Sequence, residues 1–153
     1  MRSLELKVPP LVVLVFVAAL MWLGSQAAPA AGFHVPARQA IELGLATVGA
    51  GTAVAGVVSF RIAKTTVNPL SPAAASALVT SGIYQLSRNP MYLGALILLV
   101  GWAAFLANAL GFILVPSFVL YMNRFQIGPE EKVLTSLFAP EFTTYCAKVR
   151  RWL

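Results

Sequence analysis

Apolar residues gather into four long runs, at positions 8–24, 40–60, 90–107 and 109–125, separated by polar, turn-forming stretches. A helix needs roughly 20 apolar residues, within about 17–25, to cross a bilayer, so each run predicts one membrane span. Only Asn108 divides the third core from the fourth. Read as one helix the two would be far too long, and Asn108 with Gly111 predicts a tight turn between them. Small residues at Gly44, Thr47, Gly51 and Ala55 recur every three or four positions along the second run, a spacing that permits close helix packing. Between the second and third runs, Asn68-Pro69 and Ser71-Pro72 fix turns. A short helix is expected over 73–79 with Pro72 in its first turn, and Thr80-Ser81-Gly82 breaks it. Pro90 opens the third span, where its missing N–H costs nothing.

After the fourth run, Gly128-Pro129 predicts the start of a new helix with Val133, Leu134, Leu137 and Phe138 on one face. Pro140 starts another, with Phe142, Tyr145 and Val149 along one side. Such short amphipathic pieces lie on a membrane surface or cap a bundle. The expected fold is an all-α integral membrane protein of about four transmembrane helices plus short cytoplasmic amphipathic C-terminal helices. It forms a single domain over 1–153, with two anchoring spans in 1–60 and a core in 61–153.

Composition agrees: 59% of the residues are hydrophobic and only 10% charged, against about 25% charged in a soluble domain. The net charge of +6 is a topology signal. Arg2, Lys7, Arg61, Lys64, Arg88, Arg124, Lys132, Lys148, Arg150 and Arg151 fall on one side of the spans, and only Arg38 on the other. The positive-inside rule places both termini in the cytoplasm, with membrane lipids and not nucleic acid as the partner of the basic excess. A cleaved signal peptide is the rival for the first run, since Ala28-Pro29-Ala30 resembles a cleavage site. The proline inside that site, and the reversed charge bias left for the next span, favour a retained anchor. Cys146 is the only cysteine and reads as a free thiol. His34 reads as a residue of the far-side loop, and no ligand cluster points to a metal.

The polar lead-in to the third span is the most informative stretch. Arg88 and Asn89 stand where the span begins, beside the free N–H groups and positive dipole end of a helix N-terminus, a place where a carboxylate ligand can bind. Glu130-Glu131 follows the fourth span, so both polar clusters fall at one membrane face. The acid pair alone reads as helix capping. In that company it points to a site for a charged small molecule at a membrane surface.

Two segments, Leu78-Val79-Thr80-Ser81-Gly82-Ile83-Tyr84 and Arg88-Asn89-Pro90-Met91-Tyr92-Leu93-Gly94, precede Pro129-Glu130-Glu131, Leu134, Phe138, Tyr145 and a terminal Val149-Arg150-Arg151-Trp152. In this order and spacing, across roughly 64–153, they resemble the isoprenylcysteine carboxyl methyltransferase family, which is related to the membrane phospholipid methyltransferases. The resemblance implies a helical membrane enzyme that uses S-adenosyl-L-methionine in a cytoplasmic pocket, with 61–153 as the methyltransferase-like core. By similarity, Ser76, Ala77, Leu78 and Val79 would border the cofactor, Tyr84 would contact it, and Asn89, Pro90, Met91 and Tyr92 would form its other wall. Glu131 would accept hydrogen bonds from the ribose hydroxyls, and Tyr84 and Tyr92 would stack on adenine or approach the sulfonium.

Asparagine stands at 89 where many relatives carry histidine, so no histidine-type base is present there. The prenylcysteine branch carries an arginine about one turn before the paired acids. Here that position is close to Ile127, and Arg124 lies further back. The expected acceptor is therefore small or lipid-like and apolar, entering from the bilayer past Leu96, Leu99, Trp102, Phe112 and Phe118. Arg124 is the candidate substrate-binding residue, pairing an anionic headgroup. Three alternatives stand beside this reading: a prenylcysteine carboxyl methyltransferase, a sterol-reductase-like membrane oxidoreductase, and a non-catalytic membrane adaptor.

Overall fold

A computed structural model describes residues 4–66 and 68–153; Arg2, counted in the charge pattern, lies outside them. Among the described residues the regular structure is helical, with a single isolated bridge between Gly32 and Asn108. Four apolar helices form a bundle: α1 (Pro10–Ala27), α2 (Arg38–Ile62), α3 (Pro90–Leu106) and α4 (Ala109–Tyr121). Their outward faces carry Leu11, Val15, Phe16, Leu43, Val54, Ile113 and Leu120, all exposed. So much apolar surface is foreign to a protein in water and suits a hydrocarbon surround.

Proline sets two of the helix starts. Pro10 and Pro90 sit in the first turns of α1 and α3, where a missing N–H leaves no bond unmade. Between α3 and α4, Ala107 adopts the left-handed conformation and Asn108 caps α4 by accepting from the Leu110 N–H at 3.0 Å. Asn108 also donates from Nδ2 to the Ala28 carbonyl at 2.9 Å. The turn expected at Asn108 is present, while Gly111 lies inside α4 and packs on Ala103.

The fourth helix differs from expectation. It does not restart at Gly128-Pro129 but runs on through a π-helical turn (Met122–Ile127) into α5 (Gly128–Phe138). Pro129 has no N–H to donate to the Phe125 carbonyl four residues back. The Leu6 N–H donates to that carbonyl instead, at 3.0 Å. The continuous helix, Ala109–Phe138, has 30 residues, about 45 Å at 1.5 Å per residue. A hydrocarbon core is about 30 Å thick, so the far part of the helix projects beyond it. A cis Ala139–Pro140 bond leads into α6 (Glu141–Lys148).

The stripe at Gly44, Thr47, Gly51 and Ala55 is not the packing face of α2. An added Cβ at Gly44 or Gly51 meets nothing within 4 Å. α2 packs on α3 through Glu42, Leu45, Gly49, Ala53 and Gly56, two positions out of phase with the expected stripe. A Cβ at Gly49 would lie 2.7 Å from the Gly94 carbonyl, and one at Gly94 would press on Gly49 and Ala53. This crossing puts the C-terminal end of α2 beside the start of α3.

Two further expectations are corrected. Only Pro72–Ala74 is helical within 73–79. The Ser76 and Ala77 N–H groups donate to Thr65 Oγ1, at 3.0 and 3.4 Å, so this segment is pinned to 64–65 and not to itself. Leu96, Leu99, Trp102, Phe112 and Phe118 do not line a common cleft. Leu99 and Phe118 are core residues, Trp102 donates to the Ala18 carbonyl at 3.1 Å, and Phe112 packs on Phe33.

The ends of the bundle are distinct. At one, Phe33 donates to Ala107, and Arg38 stacks over the Phe105 ring. At the other lie Glu5, paired with Arg124 at 2.7 Å, the start of α3, α5, α6 and the segment 150–152. Glu5 and the segment 150–152 therefore lie at the same end of the bundle.

Candidate functional site

At that second end a cavity of about 850 Å³, including its open mouth, lies among the end of α2, the 66–79 segment, the start of α3, α5 and α6. One wall is apolar and aromatic: Phe60, Leu78, Val79, Tyr84, Leu134 and Phe142. Tyr84 and Phe60 meet edge to face with centroids 5.4 Å apart. The lining also includes the polar side chains of Arg88, Asn89, Tyr92, Glu130 and Glu131.

Several anchors fix these walls. Tyr145, buried on α6, donates its hydroxyl to the Tyr84 carbonyl at 2.6 Å. Burial pushes the Tyr145 phenol well above its ordinary pKa, so the donor keeps its proton. Tyr84 is raised for the same first cause. Tyr92 donates to Glu130 Oε1 at 2.6 Å, and so does Gln126 Nε2, also at 2.6 Å. Gln126 further donates to the Pro69 carbonyl at 2.7 Å. One carboxylate thus joins α3, the π turn, α5 and the loop that closes the cavity.

Glu131 faces the other way. Arg151 grips it with both arms, Nε to Oε1 at 3.1 Å and Nη2 to Oε2, and Arg88 Nη2 stands 3.2 Å from Oε1. The Glu131 bond raises the Arg151 pKa further. The backbone of 150–152 is stitched to the start of α3: Arg88 N–H donates to the Arg150 carbonyl at 3.1 Å, and Asn89 Nδ2 to the Arg151 carbonyl at 2.9 Å. Trp152 Nε1 donates to Asn123 Oδ1 at 3.1 Å.

Of the residues expected from the sequence, Ala77, Leu78, Val79, Tyr84, Asn89, Met91, Tyr92 and Glu131 line this one cavity. Pro90 is buried beneath its floor against Gly56. Ser76 is turned to Lys64, donating to its carbonyl at 3.3 Å. Arg124 does not reach the cavity: it is exposed, paired with Glu5 and stacked on the Phe125 ring. Sequence reasoning missed Gln126, Arg151 and Phe142, and it singled out Arg88 and Glu130 without their contacts to Glu131 and Tyr92. Gln126 and Glu130 are four residues apart in a helical register, a spacing that puts them on one face. The junction of Tyr92 with Glu130 has no comparable local signal.

The profile of a family described as phospholipid methyltransferase matches residues 37–141. An uncharacterized protein of Haemophilus influenzae is 46% identical over 63 residues, which is 41% of this chain and all of that protein. Two proteins of Oryza sativa, one from subspecies indica and one from japonica, are described as "probable protein-S-isoprenylcysteine O-methyltransferase". Each is 38% identical over 79 residues, 50% of this chain but only 40% of the rice protein. No solved structure matches.

Proposed function

The chain belongs to the phospholipid methyltransferase family, and from that membership we propose that it is an integral membrane enzyme transferring methyl from S-adenosylmethionine to a small or lipid-like apolar acceptor. The observation that carries the reading is the cavity lined by both aromatic and acidic side chains, where Tyr84, Asn89, Met91, Tyr92 and Glu131 meet. Those residues fit the donor. Rings of Phe60, Tyr84 and Phe142 offer faces for adenine. Glu131 is held by two arginines, and a carboxylate with about four lone-pair sites can still accept from ribose hydroxyls. Aromatic faces and the Glu130 carboxylate favour a cation.

When bound, the cofactor supplies a methyl group already activated on a sulfonium. The chain's residues have mainly to align and desolvate the reactants. Tyr145 holds the Tyr84 backbone, Gln126 ties the closing loop to α5, and Arg151 orients Glu131. Asn89 spends its amide on the Arg151 carbonyl, so this position acts as a clasp and not as a proton acceptor. An acceptor that is anionic at its nucleophilic atom needs no strong base from the protein. We place the cavity and both ends of the chain in the cytoplasm, because the basic residues gather at that end.

Prenylcysteine carboxyl methylation is a second reading, drawn from the description of the rice relatives. Ile127, close to where that branch carries arginine, is fully buried, and Arg124 is engaged by Glu5. Both favour the apolar acceptor. The test is methyl transfer from labelled S-adenosylmethionine to a host lipid extract and, separately, to a prenylcysteine analogue. Label in the lipid fraction is expected. Label in the analogue alone would install the second reading, and failure of the purified protein to bind S-adenosylhomocysteine would overturn both.

A further inference from the structure

The end of the bundle opposite the cavity carries a second concavity that methyl transfer does not use. A groove of about 730 Å³, including its open mouth, lies where α1 ends, α2 begins and α3 ends. α1 and α2 pack mainly on α3, so α3 forms the floor between them. Leu98 of α3 meets α2 at Gly49, and Trp102 reaches α1 at the Ala18 carbonyl. Trp102 and Phe105 stack with centroids 5.5 Å apart, and the Arg38 guanidinium sits 5.6 Å from the Phe105 centroid. Trp22, 49% exposed, lines the groove from α1.

Arg38 has a charge to spare. Among the described residues the ion pairs all lie at the cavity end, and none joins Arg38 to Glu42, the acid one turn along α2. A phosphate suits an unpaired guanidinium, because it accepts two parallel N–H donors. Indole rings settle at the headgroup level of a bilayer, and the ring floor suits glycerol and the first methylenes of an acyl chain. No acid lines the groove, and Arg38 already covers the Phe105 ring, so a choline ammonium finds no counter-charge there. From Tyr92 to Phe105 the helix α3 rises about 20 Å, so the occupant of the groove is not the acceptor in the cavity.

We propose that this groove binds one anionic phospholipid, with the phosphate at Arg38 and the acyl chains along α1 and α2. The site needs membrane insertion and does not depend on the methyltransferase reading.

The experiment uses the full chain carrying Trp152→Phe. Trp152 is held at the cavity end by Asn123, and without it the emission comes from Trp22 and Trp102. The protein is reconstituted in phosphatidylcholine vesicles with rising fractions of phosphatidylglycerol brominated in its acyl chains, and quenching gives the relative affinity of the two lipids. Phosphatidylglycerol should be preferred about fivefold, the scale of one basic residue at an anionic lipid. Arg38→Gln should bring the ratio close to one, Arg38→Lys should keep a preference, and Arg61→Gln, at the other end of α2, should leave it unchanged. Equal affinity for the two lipids before any change at Arg38 overturns the proposal. So does an equal loss in Arg38→Gln and Arg61→Gln, which would mean a diffuse attraction between the basic chain and the membrane. Inorganic phosphate should not displace the lipid; displacement would make the groove a site for a free anion and end the lipid assignment.

Discussion

Removing the Glu130 carboxylate should cost more than its place in a helix's first turn implies. Glu130 Oε1 accepts from the Tyr92 hydroxyl and from Gln126 Nε2, both at 2.6 Å. Tyr92 is 7% exposed and Gln126 is 2% exposed. In Glu130→Ala the Tyr92 hydroxyl loses its acceptor, while Gln126 keeps the Pro69 carbonyl. An orphaned buried donor costs about 1–3 kcal/mol. With the weakened tie at Gln126, the expected destabilisation is about 2–4 kcal/mol. Glu130→Gln keeps the oxygen and loses only the charge. Weaker bonds are then set against a relieved desolvation penalty, and the expected loss is about 0–2 kcal/mol.

The assay is unfolding of detergent-solubilised protein, read by near-ultraviolet circular dichroism, for Glu130→Ala, Tyr92→Phe and the double variant. Tyr92→Phe keeps the ring and removes the hydroxyl. If the two groups act through one bond, the double variant should be little worse than Glu130→Ala alone, with a coupling of about 1 kcal/mol or more. Costs that simply add would refute the account of Glu130 as the junction of α3, α5 and the closing loop.

Four other outcomes are expected. Glu131→Gln should weaken S-adenosylhomocysteine by about ten- to a hundredfold in calorimetry, with a smaller effect on unfolding than Glu130→Ala; the reverse order would exchange the two roles. Tyr145→Phe removes the buried bond to the Tyr84 carbonyl and should cost about 1–2 kcal/mol in the unfolding assay while leaving the α6 ring in place. Gly94→Val forces a side chain against Gly49 and Ala53 and should cost about 1–3 kcal/mol or more, whereas Gly51→Val, with open space around it, should be nearly neutral in the same assay. Reporter fusions after Phe33 and after Leu153 should report opposite sides of the membrane, and the same side for both would sink the four-span topology.

The spans were legible because their signal is local. A run of apolar residues near the length of a bilayer is visible whatever it packs against, and Asn108 marks the turn between α3 and α4 by its own capping chemistry. Which face of α2 meets α3 is not a local property. Gly44, Thr47, Gly51 and Ala55 have the right spacing, and so do Gly49, Ala53 and Gly56. Only the partner decides, because Gly94 and Gly101 offer close approach to the second set. The continuity of α4 into α5 was hidden for a related reason. Pro129 reads as a helix start, and what rescues the helix is a donor from Leu6, more than a hundred positions away in the chain.

The site divides along the same line. Tyr84, Asn89, Met91 and Tyr92 lie close together in sequence and carry a motif, so their grouping in one cavity needed no knowledge of the fold. The polar connections that give those residues their orientation run between distant segments: Tyr92 to Glu130, Gln126 to Pro69, Arg151 to Glu131. Each acid of the pair looks equivalent in a helix's first turn. They separate because successive residues on a helix point about 100° apart. That rotation turns Glu130 inward to the α3 phenol and Glu131 toward the returning segment 150–152. A capping argument treats the pair as one negative patch, and that patch is the wrong unit. One carboxylate fastens the wall of the cavity, while the other is kept in position by arginines with acceptor capacity to spare. Substitutions at these two neighbours should therefore fail in different assays.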